Sequence, residues 1–108
     1  MSNKEINPST LLLFTDSVRE IGIVRVPDHP TYIEGSNPIT LYCSGAGNPL
    51  PSYVWYKDGK VVSSSPVHTI NDVITGNSGN YTCTTANLIN GVSNSESLST
   101  TMIIGIRV

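Results

Sequence analysis

The side chains with reactive potential in this chain are two cysteines, Cys43 and Cys83, two histidines, His29 and His68, and a handful of carboxylates. Thiolates and imidazoles hold zinc when they recur at short spacings. No Cys or His stands near either cysteine at such a spacing, so no metal-ligand set is expected. An even pair of cysteines in a compact domain leaves two states open, one disulfide or two buried thiols. Neither histidine lies beside a nucleophile motif, and His68 falls in a strand-like run, where an imidazole packs or faces solvent. Asp58 sits in a turn and Asp72 in a corner passage, places where carboxylates serve turn chemistry. No Gly-rich loop follows a strand and opens a helix, so a phosphate has no cradle. The expectation is no enzyme and no cofactor. One modification motif stands out: Asn80-Tyr81-Thr82 is a glycosylation sequon, whereas Asn7-Pro8-Ser9 is blocked by its proline.

The elements that must position these groups are short strands. A chain of 108 residues has room for one domain with a modest core. Charged residues make up 13%, about half the usual share, while 38% apolar content is enough to support burial. The net charge of −2 and the absence of a basic run give no footprint for nucleic acid or an anionic membrane. The apolar runs at Leu11–Phe14 and Met102–Ile106 fall far short of the roughly 20 residues of a membrane helix. The opening MSNKEINPST has no basic region feeding an apolar stretch, so a secreted parent would make this chain a piece lacking its signal and any anchor.

Segments rich in Val, Ile, Thr and Tyr alternate with Gly, Pro, Asn and Ser clusters, the pattern of an all-β sandwich. In NPITLYC, Ile39, Leu41 and Cys43 share one face. In SYVWYKDGKVV two strand-like runs flank Asp58-Gly59, a pair suited to the positive φ angles of a two-residue hairpin turn. PVHTINDV reads as a strand entering the corner TGNSG, and NYTCTTANLI as the next strand. Asn90-Gly91 follows as a turn or loop, and the Ser/Asn-rich VSNSES leads to a last strand in TTMIIGIRV. Gly79, Tyr81 and Cys83 alternate and therefore point the same way.

Cys43, Trp55, Tyr81 and Cys83, in this order and spacing, resemble the immunoglobulin superfamily. IEGSNPITLYC is similar to that family's passage from strand A′ to B. GNPLPSYVWYKDGKVV resembles the B–C loop and C–C′ hairpin of adhesion-type domains (I-set or short constant-like), and INDVITGNSGNYTC the E–F passage with its tyrosine corner. The resemblance covers roughly residues 30 to 108 and implies an immunoglobulin-like β-sandwich of about seven antiparallel strands. It implies an inter-sheet disulfide Cys43–Cys83, with reduced cysteines, as in muscle cytoskeletal relatives, the alternative. It also implies a core of Trp55, Tyr81, Leu41 and Ile70. Asn77 stands where the family usually has Asp; it can bond local backbone but makes no salt bridge. Only VVSSSPVHT separates the hairpin from Ile70, too little for the extra strands of an antibody variable domain.

Residues 1–26 read as an N-terminal extension and 27–108 as the immunoglobulin-like domain. Ile21-Gly22-Ile23 echoes Ile104-Gly105-Ile106, so the extension is either the tail of a preceding domain in a tandem array or a chance likeness of two strands. The resemblance implies a non-catalytic recognition or spacer module of a cell-surface or secreted multidomain protein, flanked by further immunoglobulin domains. The other reading is an intracellular structural domain of a muscle-type filament. With Trp55 inward, Val54 and Tyr56 face out beside Val62 and Thr84, a charge-poor face suited to a protein partner, a second copy included. The loop from Asn87 to Asn94, with Asn87 and Asn90, and a glycan on Asn80 complete the expected surface.

Overall fold

The computed structural model describes residues 14–108; the expectations that fall on residues 1–13 lie outside that range. The chain forms β1 (Asp16–Val26), β2 (Tyr32–Ile33), β3 (Ile39–Asn48), β4 (Ser52–Lys57), β5 (Lys60–Ser63), β6 (Val67–Ile70), β7 (Gly79–Ile89), β8 (Val92–Met102) and β9 (Ile104–Gly105). One sheet has the order β1-β3-β6 and the other β5-β4-β7-β8, both antiparallel, while β2 and β9 pair in parallel. The two sheets together hold seven strands, with the two-residue β2 and β9 pairing beside them, in keeping with a sandwich of about seven strands.

Alternation decides which side chains meet between the sheets. Ile39, Leu41 and Cys43 of β3 are buried, as are Tyr81 and Cys83 of β7 and Trp55 of β4. The disulfide Cys43–Cys83 crosses from one sheet to the other with its Cα atoms 6.4 Å apart. Trp55 lies opposite Cys83 in the β4–β7 ladder, and its indole Nε1–H donates to Pro66 O at 3.0 Å. Leu41, Ile70, Val73, Met102 and Ile104 complete this half of the core. At the corner, Tyr81 Oη–H donates to Asn77 O at 2.7 Å, and Asn77 Nδ2 donates to Asp72 O at 2.5 Å. Asn77 therefore holds the corner through backbone, as its side-chain chemistry predicts.

Both hairpin turns follow from their dipeptides. Asp58 and Gly59 have φ of 48° and 88°, Asn90 and Gly91 of 52° and 79°, the left-handed pair that a two-residue turn demands.

Two expectations need correction. Residues 16–26 are not set apart from the sandwich: β1 runs along β3 from Asp16 opposite Asn48 to Val26 opposite Thr40, with Val18 buried. The apolar pattern that reads as a stray strand is satisfied at the open edge of β3, and residues 27–31 carry the chain across to β2. VSNSES is likewise no lead-in loop. It lies inside β8, because the tight turn at Asn90-Gly91 brings each residue from Val92 onward opposite one of β7.

Candidate functional site

With Trp55 and Cys83 facing inward, their neighbours face out. Val54 pairs with Thr84 and Tyr56 with Thr82 across β4–β7, and Thr84 and Thr82 pair in turn with Ser97 and Ser99 of β8. The hydroxyls of Thr82 and Ser99 share a hydrogen bond at 2.7 Å, and those of Thr84 and Ser97 at 2.8 Å. These links order the side chains and leave a flat surface. None of the outward residues of β4, β7 and β8 in these pairs carries a charge. Tyr56 and Val54, half-buried, form its apolar centre, extended by Val61 of β5, which is 61% exposed and pairs with Tyr56.

Val62 is not part of this face. The two-residue turn at Asp58-Gly59 pairs Lys60 with Lys57 and Val61 with Tyr56, and Val62, with the opposite parity, lines a hollow on the other side with His68 and Tyr81. The bulge lies beyond Val61, between the Tyr56 and Trp55 pairs, and sets Ser63 opposite Trp55.

Asn87 is not a surface contact either. It is 6% exposed, and its Nδ2 donates to Asp16 O at 2.8 Å and Pro49 O at 3.0 Å, tying β7 to the start of β1 and to the loop between β3 and β4. Gly47 of β3 makes room: a Cβ there would lie 2.9 Å from Asn87 Nδ2. Asn90, in contrast, is exposed at the turn between β7 and β8, with Leu88 and Val92 exposed beside it.

Asn80 is exposed and held by its backbone. Its N–H donates to Asp58 Oδ1 at 3.1 Å and its C=O accepts from Asp58 N–H at 2.9 Å. That backbone bond, with Lys57 beside it, holds the Asp58 carboxyl below the usual carboxylate range. Gly79 is required next to it, since its φ is +150° and a Cβ would fall 2.6 Å from Asp58 Oδ2. Burial, with Asp58's charge nearby, pushes the Tyr81 phenol up to about 12. Burial lowers His68, whose ring stacks on Tyr81 with centroids 5.9 Å apart. These groups are turn and core fittings. Among the described residues no three of His, Cys, Asp and Glu converge as metal ligands would.

Arg25 is a residue that sequence reasoning left among scattered charges. Its guanidinium bonds Asp28 at 2.8 Å and His29 O at 3.0 Å, and reaches across to Thr101 O at 3.3 Å, joining the end of β1 to β8. Between these strands lies an open groove of about 720 Å³, walled by Ile23 and Val24 on one side and Leu98 and Thr100 on the other. No spacing rule signals a clasp between strands so far apart in sequence.

Comparison with known proteins agrees with this geometry. A family model described as Immunoglobulin domain matches residues 23–100. The peroxidasin homolog of Mus musculus is 39% identical over 82 residues, 68% of this chain and 6% of that protein. The sidekick homolog of Caenorhabditis briggsae is 32% identical over 69 residues, 56% of this chain and 3% of that protein. The chain thus spans only a small part of the length of these relatives. The crystal structure of Dscam1 isoform 1.9, N-terminal four Ig domains, superposes with a TM-score of 0.63 at 28% identity, over 82% of this chain and 22% of that one. A sandwich pinned by a cystine beneath Trp55, a tyrosine corner at Tyr81 and a family match across both sheets lead to one conclusion: this chain belongs to the immunoglobulin superfamily.

Proposed function

We propose that the chain is a non-catalytic protein-recognition module of a cell-surface or secreted multidomain protein of adhesion or receptor type. Its contact surface is the outer face of β5-β4-β7-β8. The observation that carries this reading is the flat, uncharged surface centred on Tyr56, Val54 and Val61, with Thr84 and its hydroxyl neighbours around it. Burying such a face on a partner desolvates no ion, and a Tyr adds contact area at low entropic cost. The Cys43–Cys83 disulfide supports an oxidising, extracellular setting over the filament reading with reduced thiols. Relatives such as the sidekick homolog and Dscam1 support the adhesion class.

A glycan on Asn80 belongs to the same proposal. The side chain is exposed at the end of β7 that meets the Asp58-Gly59 turn, so an attached sugar narrows access to that end of the face. Expression through the secretory pathway is expected to give a product whose mass falls on treatment with peptide N-glycosidase and in Asn80→Gln.

The face is tested by screening the chain, displayed on beads, against secreted proteins and membrane ectodomains. Tyr56→Arg and Thr84→Arg are expected to abolish the captured interactions while the melting temperature stays near wild type. Interactions that survive both changes would place the contact elsewhere.

A further inference from the structure

Among the described residues four strands border the two sheets, and three of them are poor templates for another chain. β5 and β6 are four residues each, and β5 begins with Lys60. β1 is interrupted by two register shifts and by Glu20 at a φ of 56°. β8 is different. It spans 11 residues in unbroken register with β7, and it contains no Pro and no Lys; its one charge is Glu96.

Hairpin geometry says which backbone groups this edge offers. A two-residue turn makes Ile89 and Val92 a hydrogen-bonded pair, so bonding to β7 falls on every second residue from Val92. The N–H and C=O of Ser93, Ser95, Ser97, Ser99 and Thr101 therefore point away from β7. Two observations agree. Thr101 O is the carbonyl met by Arg25 at 3.3 Å, and the close hydroxyl pairs Thr82–Ser99 and Thr84–Ser97 fall at non-hydrogen-bonded sites, where side chains approach most nearly. Beside this row, among the described residues, lies the open groove toward β1, with Arg25 and Asp28 at its Thr101 end.

We propose that β8 pairs antiparallel with β8 of a second copy of this chain, about a two-fold axis at Ser97, so that two four-stranded sheets become one continuous sheet. This contact uses the sheet edge and does not depend on the face-mediated recognition proposed above. The occupant follows from the sequence of the edge itself. Every residue that offers backbone groups is Ser or Thr, so in this register Ser97 meets Ser97 and Ser95 meets Ser99 of the other copy, while Thr101, whose carbonyl Arg25 holds, lies at the end of the ladder. These are the hydrogen-bonded sites of the new ladder, so the match is made by backbone groups while the Ser97 and Ser99 hydroxyls keep their Thr84 and Thr82 partners on β7. Charge fits as well. Glu96 faces the partner copy's Leu98 and not its own counterpart, and no other ionised side chain lies on either strand. A register one pair toward the turn would set Glu96 against Glu96. A single-strand interface is small, so the dimer is expected in the micromolar to submillimolar range.

The test is sedimentation equilibrium of the chain from about 1 µM to about 1 mM, with amide exchange followed by NMR at both ends. Wild type is expected to move from monomer to dimer, with the amides of Ser95, Ser97 and Ser99 gaining protection at high concentration. Ser97→Pro removes an N–H that makes no bond to β7, so the fold should survive while association weakens at least about tenfold. Ser97→Lys keeps the N–H but sets like charges across the axis, and its weakened dimer should recover in high salt. A monomer throughout, or a dimer indifferent to Ser97→Pro with unchanged exchange at these amides, would overturn the proposal. A dimer disrupted by Tyr56→Arg and not by Ser97→Pro would place self-association on the sheet face and overturn it equally.

Discussion

Asn87→Asp separates the buried clamp seen in the structure from the surface contact that the sequence suggests. The wild-type amide donates to Asp16 O and Pro49 O at 2.8 and 3.0 Å, from a site only 6% exposed. A carboxylate has no donor to offer and turns its oxygens on two carbonyls. Losing both bonds leaves two carbonyls unmet, at about 1–2 kcal/mol each. Burying an unpaired charge raises the total to about 3–5 kcal/mol at neutral pH. For a domain of this size each kcal/mol lowers the melting temperature by roughly 4–8 °C, so a fall of about 12 °C or more is expected. Acid should partly rescue the variant. The folded state raises the pKa of the new carboxyl and binds its proton more tightly than the unfolded chain does, so stability climbs as pH drops from 7 toward that pKa. Thermal melts by circular dichroism at pH 7 and pH 4.5 read both effects. Leu88→Asp, one residue along and 61% exposed, serves as the control and should stay within about 0.5 kcal/mol of wild type. If Asn87→Asp melts like Leu88→Asp at pH 7, the clamp carries no stability and the reasoning fails.

Three further outcomes follow from the core. Reducing Cys43–Cys83 frees a loop whose ends are 40 residues apart; the chain-entropy relation puts the loss at about 4 kcal/mol, to be read as a shift of the urea midpoint with and without reductant, and an unmoved midpoint would contradict it. Tyr81→Phe deletes the hydroxyl that holds Asn77 O at 2.7 Å and should cost about 1–2 kcal/mol in the same assay, more than Tyr42→Phe at an exposed site of β3. His68, lowered by burial against Tyr81, is expected to leave stability whole above the unfolded value near 6.5 and to withdraw part of it as pH falls through the folded pKa. Lys57 and Asp72 border the same hollow. His68→Gln should flatten the stability profile between pH 7 and 5, and an equal slope in both proteins would assign it to other groups.

Much of the scaffold is legible because its signals are local. Ile39, Leu41 and Cys43 repeat at the period of a strand, and Asp58-Gly59 and Asn90-Gly91 carry the φ preferences of their turns. Tyr81 reaches a carbonyl only four residues back. The face is legible only in part. Val54, Tyr56 and Thr84 point outward as their parity with Trp55 and Cys83 requires, but Val62 does not, because the two-residue turn sets Val61 and not Val62 opposite Tyr56. Ser93, Ser95, Ser97, Ser99 and Thr101 alternate plainly in the sequence, yet a run rich in Ser and Asn reads as a loop until a partner strand shows which side each residue takes.

What this sequence determined unaided is everything written within a few residues: the strand periods, the turns, and the Cys, Trp and Tyr set that marks the sandwich. Tertiary structure alone decided where β1 docks, that Asn87 spends its amide on Asp16 and Pro49, and that β8 is an edge strand among the described residues. Those outcomes depend on groups brought together across long stretches of chain, and a hydrogen bond or an unpaired edge exists only once folding has placed, or failed to place, a neighbour beside it.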